Sequence, residues 1–468
     1  MLFNTAQFVA FFVVVLLVHR AVPSGARNTW LLVCSLAFYT VWIPAYLLLL
    51  LLEIGLNFLL LRRMRHSPRP RLYLWLSVVF TLGSLAFFKY AAFLIESVAP
   101  MSSALLGVSP RVVDILLPLG ISFYSFQMIA LQVDVYRGTI EPPRTLARYT
   151  LFIAFFPQLI AGPILRGAEF LPQLDRGGVI DRTRTRRGVW LIASGLLKKI
   201  VFGDFLLARV SEAVFELPGV APAPVHLIAI YSFAFQIYFD FSGYTDMARG
   251  MGCLLGFDLP LNFREPYLSR NPAEFWRRWH VTLSLWLRDY LYIPLGGNRH
   301  GPGRMYAALV VTMLLGGLWH GAAWNFVIWG GMHGLLLVVH RSVVRRPRGE
   351  HEPFTLGDIV RVVLFFHATC VLWIFFRAPT FDGAWKFLVQ LCTGSYLGEW
   401  PLLPTLVVVA CVALHVIERL VRTNLPAIRG TLAQRPGGAA IEGLALGAVV
   451  ALALAASGVA SEFIYFQF

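Results

Sequence analysis

The stretch "MYAALVVTMLLGGLWHGAAWNFVIWGGMHGLLLVVHR", residues 305–341, has two long apolar runs on either side of a short segment around His320. Each run approaches the roughly 20 apolar residues that an α-helix needs to cross a bilayer. Arg304 and Arg341 flank the pair, and basic residues favour the cytoplasmic side of a membrane. The stretch therefore predicts a helical hairpin whose arms begin and end at the cytoplasmic face, with His320 near the apex.

The remainder of the chain has the same apolar character. Of its 468 residues 57% are hydrophobic and only 14% are charged, well outside the composition of soluble domains. The apolar runs are continuous rather than alternating, which excludes a membrane β-barrel. The first run lacks the basic region and cleavage site of a signal peptide, so we expect a retained helix. We expect an all-α, polytopic integral membrane protein with about 11–12 transmembrane helices plus re-entrant or interfacial helices.

Basic clusters divide these runs into a topology. They lie at residues 62–71, 166–199, 264–304, 341–348 and 419–429, beside apolar runs, so the net charge of +15 indicates membrane orientation rather than nucleic-acid binding. With both termini outside, the predicted spans are 3–20, 29–42, 44–61, 72–95, 112–136, 188–213, 223–245, 305–319, 323–340, 357–376, 402–420 and 440–458. We expect one membrane domain over residues 1–468, divided into N-terminal helices (1–136), a core with the functional motifs (137–345) and C-terminal helices (346–468).

Two stretches do not fit as plain spans. Residues 149–167 are interrupted by prolines and flanked by basic residues, which favours a re-entrant or interfacial hairpin. A helix is predicted to begin after Asn271, because Asn271 can cap it, Pro272 suits its first position and Glu274 follows at the capping-box spacing. This second helix is too amphipathic to span and is expected either to lie at the cytoplasmic interface or to dip into the membrane.

If that helix continues, positions 276, 280, 283 and 287 share one face, which brings Trp276 and His280 towards the core. An ionisable side chain on an apolar face needs a partner or a function, so His280 is a candidate site residue. Arg277, Arg278 and Arg288 have two interpretations of similar weight: they bind lipid headgroups, or they bind an anionic acyl donor.

His320 is the second candidate. A deep, neutral imidazole could accept a proton from a hydroxyl nucleophile, because its ordinary pKa of about 6.5 suits a general base. Trp319 and Asn325 are candidate wall or binding residues of the same site. The competing interpretation is a histidine that only packs against a neighbouring helix. For His333 and His340, further along the second arm, this packing role is the favoured interpretation.

A third polar group interrupts the apolar region 223–245 and includes Asp240 and Tyr244. Such residues either line a water-filled cavity or pair with one another. The five cysteines have no C-x-x-C spacing, and no nucleotide-binding or zinc-hydrolase motif is present. We therefore predict no metal site and no bound cofactor.

Several long motifs resemble one family in their order along the chain. They are "FFKYAAF", "PLGISFYSFQ", "FFPQLIAGPI", "FDFSGYTDMARG", "NFREPYLSRNPAEFWRRWHVTLSLWLRDYLYIPLGGNR", "GLWHGAAWNFVIWGGMHG", "FFRAPTF" and "FIYFQF". The pattern is similar to the membrane-bound O-acyltransferases, in particular to the bacterial branch typified by the alginate O-acetylation protein. In that family the histidine of "LWHG", here His320, is regarded as catalytic, with His280 of "RRWHVTLS" as its companion.

The resemblance implies acyl transfer from a cytoplasmic thioester, with acetyl-CoA as the expected donor substrate, to a hydroxyl reached from the other side of a bacterial inner membrane. It also implies a periplasmic acetyltransferase partner that passes the acyl group to an exported or cell-surface polysaccharide, within a synthesis and export complex. Beyond these partners we expect membrane lipid and no nucleic acid. His320 would act as general base, while His280 would orient the donor or the developing oxyanion.

Two other classes of function remain open at this point. Broken helices and midplane polar groups also occur in transporters, although no inverted repeat is visible here. A scaffold subunit of a polysaccharide secretion complex is the second alternative, and it predicts that both histidines can be replaced without effect.

Overall fold

The computed structural model describes residues 3–106, 115–160, 162–344, 355–433 and 438–456. These parts of the chain contain helices and no β-strand, which confirms the predicted fold class. The start of predicted span 112–136, the end of span 440–458 and the terminal "FIYFQF" motif lie outside the described residues.

The α-helices are α1 (Ala6–Ala21), α2 (Ser24–Thr40), α3 (Pro44–His66), α4 (Pro70–Leu85), α5 (Ala91–Leu106), α6 (Ile121–Tyr136), α7 (Leu146–Ala154), α8 (Phe156–Leu159), α9 (Gly167–Asp175), α10 (Arg182–Leu196), α11 (Arg209–Glu216), α12 (Ala223–Leu255), α13 (Pro272–Arg278), α14 (Val281–Leu287), α15 (Gly301–His320), α16 (Trp324–Val343), α17 (Leu356–Arg377), α18 (Phe381–Thr393), α19 (Leu402–Ala433) and α20 (Gly438–Ala456). Three π-helical segments (Ala86–Tyr90, Leu197–Ala208 and Arg288–Tyr292) and one 3₁₀ turn (Pro266–Leu268) complete the description.

Within the described residues, six helices are long and apolar enough to cross a membrane by length and composition. They are Pro44–His66, Pro70–Leu105, Ala223–Leu255, Trp324–Val343, Leu356–Arg377 and Leu402–Arg422, and two shorter apolar helices lie at Ala6–Ala21 and Glu442–Ala456. The other predicted spans correspond to helices that are shorter, less apolar or interrupted. Predicted span 188–213, for example, consists of α10, a π-helical segment and α11.

The helix predicted after Asn271 begins as expected but ends early. The Asn271 side chain accepts the backbone N–H of Glu274 at 2.9 Å, and Pro272 occupies the first turn. However, α13 ends at Arg278, and His280 adopts a left-handed conformation before α14 begins. The prediction of one continuous helical face was therefore wrong, because a left-handed residue redirects the chain.

The stretch 149–167 is also broken, as predicted. α7 ends at Ala154, Phe155 is not helical, and Pro157 lies in the first turn of the short α8. The described residues of this stretch between 149 and 165 are buried. Whether it re-enters the membrane stays a prediction.

The described residues form two compact units. The first comprises Met1–Ile192 and Met247–Pro260. Its buried polar centre is Asn57 of α3, whose Nδ2 donates to the Thr81 hydroxyl at 3.1 Å and whose carbonyl oxygen accepts from Gln132 at 2.7 Å. Such hydrogen bonds stabilise contacts between helices in an apolar environment.

The second unit comprises Ala193–Asp246 and Leu261–Phe468. It contains every candidate site residue that the sequence indicated. Trp279, Trp329 and Trp373 are among its largest fully buried side chains. An aromatic core therefore surrounds the predicted functional histidines.

Candidate active site

The helical hairpin predicted around His320 is present and closely packed. α15 ends at His320 and α16 begins at Trp324, so His320 lies at the apex. A Cβ atom on Gly317 would lie 2.1 Å from the Phe326 carbonyl oxygen and 3.0 Å from the Cα of Gly330. Only glycine permits this approach of the two helices, which fixes the position of the apex.

The His320 side chain is buried in an aromatic setting. Its ring centroid lies 5.0 Å from that of Trp319, 5.1 Å from Trp329 and 5.4 Å from Phe376. The His280 ring is 6.4 Å away, at 64° to the His320 ring. The structure thus brings together the two histidines that lie forty positions apart in the sequence, at a separation short enough for one hydroxyl group to contact both rings.

His280 has an unusual backbone conformation and a buried ring. Its φ and ψ angles are 41° and 54°, a region that non-glycine residues rarely occupy and that is enriched at functional sites. The ring is fully buried against Phe241 at 4.7 Å and Trp319 at 5.9 Å.

Asn262 determines the tautomer of His280. Its Oδ1 atom accepts the Thr282 backbone N–H at 3.2 Å and the Thr282 hydroxyl at 3.0 Å, and it lies 3.2 Å from His280 Nδ1. A backbone N–H can only donate, so the amide oxygen must occupy this side and Nδ1 must carry the proton. Nε2 of the neutral ring is then an acceptor, and it has no hydrogen-bond partner within the described part of the chain.

Burial lowers the pKa of His280 to about 3. The residue lies outside the candidate membrane spans. Because the ring is neutral at physiological pH, it offers a hydrogen-bond acceptor rather than a positive charge. A neutral ring of this tautomer can accept a hydrogen bond from a hydroxyl but has no second N–H to donate to an oxyanion.

Two other predicted residues line or support this region. Trp276 is buried, with its ring centroid 5.9 Å from that of Trp329. The Asn325 side chain donates to the Ala378 carbonyl oxygen at 2.7 Å, so it connects the start of α16 to the end of α17. This contact indicates a structural contribution from Asn325.

The three predicted donor-binding arginines have different environments. Arg278 is buried and donates to Glu274 at 2.6 Å, an i,i+4 ion pair within α13. Arg288 is exposed and pairs with Asp289 at 2.6 Å. Arg277 is exposed beside them. The side chains of Arg277 and Arg288 are thus exposed, whereas that of Arg278 is buried in an ion pair.

Asp240 and Tyr244 belong to a buried ion-pair cluster. Asp240 lies 2.5 Å from the Lys199 ammonium, which also binds Asp204 at 2.8 Å and lies 5.8 Å from the Tyr244 ring centroid. Asp240 is therefore paired, as one of the two interpretations expected, but its cation comes from the π-helical segment rather than from the predicted cluster. Among the described residues, no group of three or more His, Cys, Asp or Glu side chains is arranged to hold a metal.

Asn262 and Lys199 were not identified from the sequence. Two adjacent lysines inside a predicted span were a usable signal for Lys199, because intramembrane charges require partners. Asn262 offered no comparable signal, since its role depends on a contact across eighteen residues with a strained backbone.

The amino-acid sequence of the chain is also similar to those of known proteins. The sequence profile of the MBOAT (membrane-bound O-acyltransferase) family matches residues 143–376, a range that contains His280 and His320. The chain belongs to this family and is a membrane-embedded acyltransferase.

Its relatives include polymer-modifying enzymes. It is 39% identical to the probable alginate O-acetylase AlgI of Azotobacter vinelandii, over 86% of this chain and 79% of the relative. It is 36% identical to the peptidoglycan O-acetyltransferase of Helicobacter pylori, over 83% of this chain and 79% of the relative. The teichoic acid D-alanyltransferase of Bacillus subtilis is more distant, at 28% identity over 56% of this chain and 69% of the relative.

Proposed function

We propose that this protein transfers an acetyl group from a cytoplasmic thioester, acetyl-CoA in the simplest case, to a hydroxyl reached from the opposite side of the bacterial inner membrane. The observation that carries the proposal is the pair of buried imidazoles at the hairpin apex, with ring centroids 6.4 Å apart. Imidazoles enclosed by aromatic rings suit proton transfer in a water-poor site.

In this mechanism His320 removes the proton from the acceptor hydroxyl while its oxygen attacks the thioester carbonyl carbon. A carbon–oxygen bond forms, the carbon–sulfur bond breaks, and the proton passes from His320 to the departing thiolate. Reactants and products therefore balance without a further co-reactant. No covalent acyl-enzyme intermediate is required.

We assign His280 the role of orienting the acceptor hydroxyl. Its proton on Nδ1 is directed at Asn262, which leaves Nε2 as an acceptor for a hydroxyl hydrogen. This assignment narrows the sequence-based hypothesis, because stabilisation of an oxyanion would need a donor at that nitrogen. His280 thus complements His320 rather than duplicating it.

The donor is assigned to the cytoplasmic side by charge. The exposed Arg277 and Arg288 belong to the basic region 264–304, where the phosphates of a coenzyme could bind. Single cysteines at Ser67 and Ser102, in a background without the native cysteines, test this orientation. The cysteine at position 67 should be labelled from the cytoplasm and the cysteine at position 102 from the periplasm. The opposite result contradicts the proposed donor side.

The acceptor is inferred from the relatives. The names of two relatives refer to O-acetylation of alginate or peptidoglycan, and that of a third to D-alanylation of teichoic acid. We propose that this chain serves O-acetylation of an exported or cell-surface polysaccharide, through a periplasmic acetyltransferase that receives the group from the membrane protein.

Thiol release from acetyl-CoA by the purified protein in lipid nanodiscs tests the proposed donor, with water or an added polysaccharide fragment as the hydroxyl that accepts the acetyl group. Wild type should cleave the thioester, and the His320→Ala variant should not. A scaffold or transporter would show no turnover in either. Such a result, with a correctly inserted wild-type protein, would reject catalysis with this donor.

A further inference from the structure

Buried ring nitrogens without partners are concentrated beside His320. Within the described part of the chain, neither ring nitrogen of His333 has a hydrogen-bond partner, and the same holds for the indole nitrogens of Trp276, Trp329 and Trp373. All four side chains are buried, and His333 is completely so. The packing role first favoured for His333 does not account for these nitrogens.

The rings form one connected group. The His333 ring is stacked on Phe275 with centroids 5.7 Å apart and planes at 8°. It makes edge-to-face contacts with Trp276 and Trp329, with ring centroids 5.1 and 4.7 Å apart. Trp329 also contacts His320 at 5.1 Å, so ring contacts connect His333 to the proposed general base.

The arrangement is costly unless something binds to it. A buried polar group without a hydrogen bond loses its interaction with water without compensation, and His333 has two such atoms. A phenylalanine would make the same stack on Phe275 without this cost. A ligand that satisfies the nitrogens offsets the penalty.

The number of donors and acceptors indicates the ligand class. Neutral His333 offers one donor and one acceptor, while Trp276 and Trp329 offer one donor each. An amide group presents a carbonyl acceptor and an N–H donor, and a thioester adds a further carbonyl. An alkyl chain satisfies none of these atoms. Arg277, next to Trp276, is exposed and could bind the anionic end of the same ligand.

We propose that His333 is a donor-positioning residue: with Trp276 and Trp329 it binds the amide-bearing arm of the acyl thioester and holds the acyl carbonyl near His320. This inference rests on the proposed function and deepens it. It assigns to a third histidine a binding contact distinct from the proton transfer at His320.

The test compares donors that differ in their amides. Thiol release is measured with acetyl-CoA, with S-acetyl-N-acetylcysteamine, which keeps one amide, and with S-butyl thioacetate, which has none, and each reaction contains the same hydroxyl acceptor. The variants are His333→Phe, which keeps the stack, and His333→Gln, which restores one donor and one acceptor. His340→Phe, two turns further along α16, is the matched control.

For wild type we expect a KM for S-butyl thioacetate about fivefold or more above that for S-acetyl-N-acetylcysteamine, since one hydrogen bond is worth about 1 kcal/mol and tenfold corresponds to about 1.4 kcal/mol. His333→Phe should raise the KM for both amide-bearing donors about tenfold and abolish the discrimination. His333→Gln should recover part of it. His340→Phe should behave as wild type.

Retained discrimination in a folded His333→Phe variant overturns the proposal. If that variant does not accumulate, equal KM values of wild type for the donors with and without the amide have the same consequence. An absence of turnover of every thioester by wild type instead rejects the proposed function, so the two failures are distinguishable.

Discussion

The Lys199 cluster (Lys199, Asp204 and Asp240) and the histidine pocket (His280, His320 and His333) both place polar side chains inside the same apolar unit. The two groups differ in the partners that these side chains have. The Lys199 ammonium is bound by Asp204 and Asp240 at 2.8 and 2.5 Å. In the pocket, by contrast, His280 Nε2 and both nitrogens of His333 lack a hydrogen-bond partner among the described residues. The charges of the first arrangement are paired within the fold, whereas the nitrogens of the second are the groups to which we propose that a ligand binds. Burial of a polar residue alone therefore does not separate structural from functional positions, and the pairing of charges gives a distinction that the following variants test.

The largest effect is expected at His320. His320→Ala should lower kcat for acyl transfer about 100- to 10,000-fold, because it removes the proposed general base, while membrane accumulation stays near wild type. His66→Ala, at an exposed histidine that ends α3, is the control and should retain activity. Substantial acyl transfer by a stably inserted His320→Ala variant would show that His320 is not the general base.

A substitution in the Lys199 cluster should lower the unfolding free energy rather than act selectively on catalysis. Lys199→Met leaves two carboxylates buried without their cation, so we expect a loss of about 3–5 kcal/mol in unfolding free energy. Thermal unfolding in detergent or nanodiscs measures it. Lys386→Met, which breaks an exposed pair with Asp382, should cost less than about 0.5 kcal/mol. If Lys199→Met keeps full stability but loses turnover, the comparison is wrong.

Substitution of Asn262 is expected to change how the activity depends on pH. Asn262→Ala should reduce kcat about tenfold, because the tautomer of His280 is no longer fixed. Asn262→Asp places a carboxylate beside Nδ1–H and should raise the His280 pKa from about 3. The ring is then protonated, and activity lost, as pH falls through this higher value.

Profiles of kcat/KM against pH for Asn262→Asp and wild type measure the shift of this acid limb. Thr282→Val, which removes a hydroxyl contact to the same amide oxygen and keeps the backbone N–H contact, should leave the profile in place. An unshifted acid limb in active Asn262→Asp would contradict the assigned hydrogen bond.

The smallest effect is expected among the arginines. Arg277→Gln and Arg288→Gln should each raise the donor KM about two- to fivefold with little change in kcat, and less so in high salt, because exposed charges are screened. Arg278→Gln should instead reduce stability, since it leaves Glu274 buried without that partner. Donor KM values unchanged in both exposed variants would favour lipid headgroups as their ligands.

Sequence alone established a helical membrane protein, the hairpin with His320 at its apex, and the start of the helix at Asn271. These features depend on local properties: the length of apolar runs, the placement of basic residues and capping chemistry along a few neighbouring positions. The resemblance in motif order also identified His280 and His320 as a pair.

Only the tertiary structure decided how these groups are used. The left-handed backbone of His280, its tautomer fixed by Asn262, and the ion pairing of Asp240 with Lys199 all depend on contacts between distant segments. The distinction between accessible Arg277 and buried Arg278 likewise follows from packing. A sequence pattern shows that a polar residue lies in an apolar region, but hydrogen bonds are short and directional, so partners are fixed only when the chain has folded.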